Sequence, residues 1–223
     1  MKTLPLAAIA LAAVAGGAWY MSQPGAPAMT PFTPAEAQEV SATAEAVDIQ
    51  EMTLGNPDAE VQVIEYASFT CPHCATFHDT VFDELKENYI DTGKIGFTYR
   101  EVYFDRYGLW AGMVARCGGD TERYFGIADL IYDRQRDWTD GEPAQIADNL
   151  KTLGKTAGLN AEDLEACLKD GTMAEALYAD FQKNAEADDI TSTPSFIIDG
   201  EKYSNMSYDE FSRILDEKLG EDS

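Results

Sequence analysis

Val61-Gln62-Val63-Ile64-Glu65-Tyr66-Ala67-Ser68-Phe69-Thr70-Cys71-Pro72-His73-Cys74 is the stretch that decides the fold. Its first seven residues are almost continuously apolar and begin β-branched, as in a strand covered on both faces, with only Gln62 and Glu65 as interruptions. Directly after Cys71, Pro72 suits the first position of a helix, and Phe77, Val81, Phe82 and Leu85 recur at helical spacing to about Asn88. The two cysteines therefore open a helix that follows a buried strand. A second strand, from Lys94 to about Val102, completes a β-α-β unit, the element from which parallel sheets are built.

Upstream, a strand-like stretch from Ile49 to Leu54 runs into the turn Gly55-Asn56-Pro57-Asp58. Downstream, residues 104–189 lack strand patterning and offer successive helical stripes. Leu109, Trp110, Met113, Val114 and Cys117 share the first face, stopped by Gly118-Gly119, and Tyr124, Ile127, Ala128 and Ile131 share the second. Ile146, Leu150 and Leu153 form a third; Asn160 can cap a fourth that carries Leu164, Cys167 and Leu168. A fifth runs from Met173 to about Ala185. Strand character returns at Ser195-Phe196-Ile197-Ile198, followed by the hairpin signal Asp199-Gly200 and the short arm Lys202-Tyr203. A closing helix starts at Ser207 and buries Phe211, Ile214, Leu215 and Leu219. The expected class is α/β: a β-α-β half (48–103), an all-helical insertion (104–189) and a β-β-α half (190–223).

At 223 residues the chain can bury one substantial core, so one domain with an insertion is the expectation and two small domains the alternative. A formal charge of −24, from 40 acidic against 16 basic residues, repels nucleic acid and anionic headgroups over most of the surface and argues against both as partners. Lys2 is the only charged residue before Glu36, and Leu4 to Met21 is an uncharged, Ala-rich run. Residues 1–21 are therefore expected to be a secretory signal or an uncleaved membrane anchor, with 22–47, rich in Pro, Ala, Gly and Ser, as a flexible tether. No cysteine near the signal is available for lipoprotein acylation. An exported chain meets an oxidising compartment, where its four cysteines can pair as two disulfides.

A Cys-x-x-Cys can be structural, zinc-binding or redox-active. Here Cys71 stands at a helix N-terminus, where unpaired backbone N–H groups and the helix dipole favour a thiolate, and a protonated His73 would add positive charge. A stabilised Cys71 thiolate is a good leaving group, so the oxidised pair is a ready disulfide donor with Cys74 as the resolving thiol. The zinc alternative would use Cys71, Cys74 and His78 with a fourth ligand from the insertion; it is weakened because His73 and His78 are the only histidines and no second close pair exists. His78 otherwise reads as a polar residue on the helix. Glu65, flanked by Val63, Ile64, Tyr66 and Ala67, is expected to be buried and able to act as acid and base, the alternative being an exposed acid at a strand end. Cys117 and Cys167 fall on apolar stripes, either as inert buried thiols or, with Cys71 and Cys74 paired locally, as the one other disulfide available. A generic X-Pro bond at Pro194 would be trans.

The run from Val63-Ile64-Glu65-Tyr66 through Cys71-Pro72-His73-Cys74 resembles the active-site region of the DsbA-like thiol:disulfide oxidoreductases, a family of the thioredoxin superfamily. The resemblance extends to Leu54-Gly55-Asn56-Pro57-Asp58-Ala59, the helical insertion and Thr193-Pro194, and so covers the chain from Ile49 to the last helix. It implies a thioredoxin fold with a helical insertion, a catalytic Cys71, Pro72, His73 and Cys74, and a buried Glu65 that helps move the proton of Cys74. It also implies a cis Pro194, with the backbone of Thr193 pairing to an extended substrate segment. The implied enzyme needs no cofactor or metal beyond the Cys71–Cys74 disulfide. It would oxidise unfolded exported proteins with cysteine pairs in the periplasm or cell envelope, and be reoxidised by a DsbB-like, quinone-linked membrane oxidase. Thr193 departs from the valine of the best-known oxidases and matches the threonine of related isomerases, which leaves isomerase or reductase as the enzymatic alternative. The segment before Ile49 is short for the dimerisation domain such an isomerase would carry. A binding or chaperone module without turnover is the non-enzymatic alternative.

Overall fold

The computed structural model describes residues 47–220, so the expected signal (1–21) and the tether (22–47) apart from Val47 lie outside the described residues. Strands β1 (Met52–Gly55), β2 (Val61–Ala67), β3 (Ile95–Glu101), β4 (Ser195–Ile198) and β5 (Glu201–Ser204) form one sheet in the order β1-β3-β2-β4-β5. β2 and β3 are parallel, joined by a helix as a parallel pair requires, and the other neighbours are antiparallel. Pairing with β3 begins only at Met52, opposite Tyr99, so the first strand is shorter than the run from Ile49 suggests. The β4–β5 hairpin turns through Asp199 and Gly200, both at positive φ (47° and 80°), which is the Asp-Gly geometry of a two-residue turn.

Helix α1 spans 72–90; Pro72–Phe77 is α-helical, and His78–Phe82 and Lys86–Ile90 are wider π turns. It continues past Asn88 because Tyr89 and Ile90 are still core residues, and it stops where Gly93 turns at positive φ and returns its N–H to the Ile90 carbonyl. Between β3 and β4 the insertion supplies α2 (Arg106–Arg116), α3 (Thr121–Asp133), α4 (Gln135–Trp138), α5 (Pro143–Thr156), α6 (Ala161–Lys169) and α7 (Gly171–Ala187). α4 has no counterpart among the five sequence stripes, since a single turn is too short to show helical periodicity. Side chains of Asp105, Asp120, Asn160 and Asp170 accept the free N–H groups that open α2, α3, α6 and α7, each cap contributing about 1 kcal/mol. Ser207 does the same for the last helix, α8 (Tyr208–Leu219).

Alternate residues of β2 face opposite sides of the sheet and bury both. Val61, Val63 and Ala67 join the main core with Phe196 and Ile198, and there α1 and α8 close on the sheet through the Phe77–Phe196 and Phe196–Phe211 ring contacts, 4.8 and 5.0 Å between centroids. Ile64, Tyr66 and Ile197 point the other way, onto Phe181 and Ile190. The insertion is tied to the sheet by the buried Arg116–Glu101 pair, bidentate at 2.7 Å, whose carboxylate also accepts from the Tyr124 hydroxyl. This is the thioredoxin fold interrupted between β3 and β4 by a helical insertion.

Candidate active site

Cys71 has extended backbone (φ −82°, ψ 118°) and occupies the N-cap of α1 with Pro72 next to it. Proline at that position costs no hydrogen bond, because the first N–H groups of a helix have no partner within it. The Cys71 thiol donates to the Thr193 carbonyl at 3.4 Å, and the Thr193-Pro194 peptide bond is cis. Residues 122 apart in sequence thus share one contact. Cys71 is partly exposed, Pro72 and the His73 side chain are exposed, and Cys74, nearly one turn further along the helix, is buried; both cysteines are free thiols here.

The two thiols have opposite acidities. Cys71 is pulled down from 9.0 to about 5, chiefly by the hydrogen bond from the Cys74 side chain, which outweighs partial burial; the Thr193 side chain and the N–H groups of Cys74 and His73 add to it. The sequence points to the helix terminus as the source of this acidity, whereas in the folded chain the neighbouring thiol leads and the backbone N–H groups assist. Cys74 is pushed well up, first by burial, then by its bond to Cys71, then by the charge of Glu65.

Glu65 projects from β2 into the main core and is fully buried, near enough to Cys74 for its charge to act on that thiol. Its Oε2 lies 3.2 Å from His78 Nε2. The imidazole stacks on Tyr132 at 4.2 Å between ring centroids, and the Tyr132 hydroxyl meets that of Tyr99 at 2.5 Å. Glu65 Oε1 and His78 Nδ1 are buried without a hydrogen-bond partner among the described residues. His78 is therefore not merely a polar residue on the helix surface. The signal was present in its position: His78 is four residues after Cys74 and three before Val81, on the stripe that faces the core. Its Nε2 is engaged by Glu65 rather than free for a metal, and among the described residues no three His, Cys, Asp or Glu side chains are grouped to hold one.

Away from this site, Cys117 and Cys167 are bonded, with 2.08 Å between sulfurs and 5.9 Å between Cα atoms. They join the end of α2 to α6 across 50 residues.

The family profile described as Thioredoxin matches residues 48–217. A protein-disulfide oxidoreductase of Rickettsia bellii is 35% identical over 175 residues, covering 78% of this chain and 67% of the relative. The crystal structure of Wolbachia pipientis α-DsbA1 superposes with a TM-score of 0.71 at 28% identity, covering 77% of this chain and 92% of that one. The chain belongs to the DsbA-like disulfide oxidoreductases of the thioredoxin superfamily. Among other DsbA-like relatives, disulfide bond formation protein D of Bacillus subtilis is 25% identical over 173 residues, 74% of this chain and 76% of that protein. The chain spans 62–67% of the length of its five Rickettsia relatives.

Proposed function

We propose that this DsbA-like chain is an exported thiol:disulfide oxidase that donates its Cys71–Cys74 disulfide to cysteine pairs of unfolded proteins in the periplasm or cell envelope. The observation that carries this reading is the divergence of the two thiols: an accessible Cys71 lowered to about 5 beside a buried Cys74 raised far above it. A client thiolate attacks Cys71 Sγ, the Cys71–Cys74 bond breaks, and the electron pair leaves on Cys74, which takes up a proton. The second client thiolate then attacks the client sulfur of the mixed disulfide, and Cys71 leaves as the stabilised thiolate. Two electrons have passed from the client to the cysteine pair, and no cofactor or metal takes part. Glu65 and His78 are suited to hold the proton that Cys74 accepts and later returns. Pro72 and His73 shape the helix start, and Thr193 with Pro194 borders Cys71, where an extended client segment can pair. The Cys117–Cys167 bond is structural in this reading. Reoxidation falls to a DsbB-like, quinone-linked membrane oxidase.

The identity of residue 193, a threonine as in related isomerases where the best-known oxidases have valine, favours isomerase or reductase as the second reading. Equilibration with glutathione buffers separates the directions. A potential near about −120 mV, that of DsbA, is expected; one near about −270 mV, that of thioredoxin, would favour reduction. Rearrangement of a scrambled, fully oxidised substrate at a rate exceeding dithiol oxidation would favour isomerisation. Function unchanged after loss of both active-site cysteines would point to a chaperone.

A further inference from the structure

Gln135 lies in α4, the single turn of the insertion that the sequence stripes do not reveal, and is only 6% exposed. Its side-chain amide donates to two backbone carbonyls of the cysteine loop, that of Phe69 at 2.8 Å and that of Cys71 at 3.0 Å. Both facing atoms are acceptors, so chemistry alone requires the NH2 end of the amide there. The Cys71 carbonyl also accepts the N–H groups of Cys74 and Ala75, at 3.1 and 3.2 Å, which form the first turn of α1. Gln135 thus grips the loop on the carbonyl around which that turn is wound. At the surface, α4 and the start of α1 are separated by a cleft of about 410 Å³ lined by Pro72, Ala75, Thr76, Tyr132 and Gln135 among others. Direct packing does not close this gap, and the Gln135 amide bridges it.

We propose that Gln135 is a positioning residue through which the helical insertion holds the Cys71 loop in its reactive geometry. Three consequences follow from the bonds. The two N–H dipoles draw electron density from the peptide groups on either side of Thr70 and Cys71, lowering the negative potential near Sγ. The fixed Cys71 carbonyl keeps the N–H groups of His73 and Cys74 directed at the thiolate, the groups that assist its ionisation. Without Gln135 the Phe69 carbonyl loses its side-chain donor, and the loop can relax toward water at the cost of that alignment. The inference rests on the oxidase reading, since it concerns the ionisation of the same Cys71.

The test uses the reduced full-length protein and Gln135→Met, which keeps length and volume but donates nothing. Cys71 ionisation is followed by thiolate absorbance against pH, and the oxidation equilibrium with glutathione is measured in parallel. In Gln135→Met the midpoint for Cys71 is expected to rise by about one unit, with the disulfide about tenfold harder to reduce. A lower melting temperature with the midpoint and equilibrium unchanged would mean that Gln135 only braces the fold, and would overturn the proposal. Should the variant not fold, the wild-type decides: the side-chain NH2 resonances of Gln135 are expected to shift with the Cys71 titration, and their constancy would overturn it. A wild-type Cys71 that titrates as an ordinary thiol would instead count against the oxidase reading itself.

Discussion

Glu65 Oε2 and His78 Nε2 face each other at 3.2 Å inside the core, one from the strand that leads to the cysteines and the other from the helix that leaves them. Tyr132 covers the imidazole, which is buried with Glu65 away from solvent. Glu65→Gln keeps the shape but cannot take up a proton. We expect the fold to persist and the steps that release or protonate Cys74 to slow. Stopped-flow oxidation of a dithiol peptide measures this; an unaltered rate removes Glu65 from the mechanism.

His78 carries a separable prediction. His78→Leu leaves the buried Glu65 carboxyl facing an apolar side chain, and a buried polar group left without its partner costs about 1–3 kcal/mol. Replacing both partners, in Glu65→Leu with His78→Leu, removes the orphaned polar group and should recover most of that loss in denaturant melts while leaving the Cys74 steps slow. If the double variant is both stable and fast, the pair has no part in proton transfer.

Cys71→Ser is expected to abolish dithiol oxidation, because without the Cys71 sulfur there is no active-site disulfide for a client thiolate to attack. Cys74→Ser should leave Cys71 able to accumulate client mixed disulfides that cannot be resolved from within the protein. Non-reducing gels of Cys74→Ser incubated with a client that carries a disulfide, which the Cys71 thiolate attacks, and oxidation of a reduced client by Cys71→Ser read the two outcomes, and normal turnover by Cys71→Ser would end the catalytic reading.

An ordinary disulfide stabilises a fold, yet here the reduced form is expected to be the more stable one near neutral pH. The loop between Cys71 and Cys74 is very short, so its closure gains little entropy. Reduction meanwhile yields a thiolate held down to about 5. Each unit of that depression is worth about 1.4 kcal/mol before solvent screening of a partly exposed group reduces it. The sign follows from the direction: a lowered value contributes fully above the unfolded thiol's 9.0 and is lost as pH falls through about 5. Urea midpoints of both forms, taken near neutrality and in acid with Cys117 and Cys167 replaced, should therefore converge in acid. A reduced form clearly less stable at neutral pH contradicts the oxidase assignment.

Replacing Cys117 and Cys167 together by Ala should lower the unfolding free energy by about 4 kcal/mol, the closure entropy of a loop of this length, because the two lie 50 residues apart. Dithiol oxidation should survive, since the bridge joins α2 to α6 away from the cysteine loop. Peptide mapping of the exported wild-type protein that finds both as free thiols would remove the basis of this expectation.

The sequence by itself determined what depends on near neighbours. The apolar run Val61–Ala67, Pro72 after Cys71, the Asp199-Gly200 turn and the caps Asn160 and Ser207 are local signals, and each is expressed where it stands because backbone geometry and periodicity act over a few residues. Even the burial of Glu65 was legible from its apolar flanks. Tertiary structure alone decided which side chains meet: His78 with Glu65, Thr193 with Cys71, Gln135 with the carbonyls of Phe69 and Cys71, and the approach of Cys117 to Cys167. These partners are 13 to 122 residues apart. Periodicity tells which face of an element is buried but not what lies across the core from it. That is set by how the sheet, α1 and the insertion close on one another, and so the acidity of Cys71, which depends on Cys74 and Thr193 together, is a property of the fold.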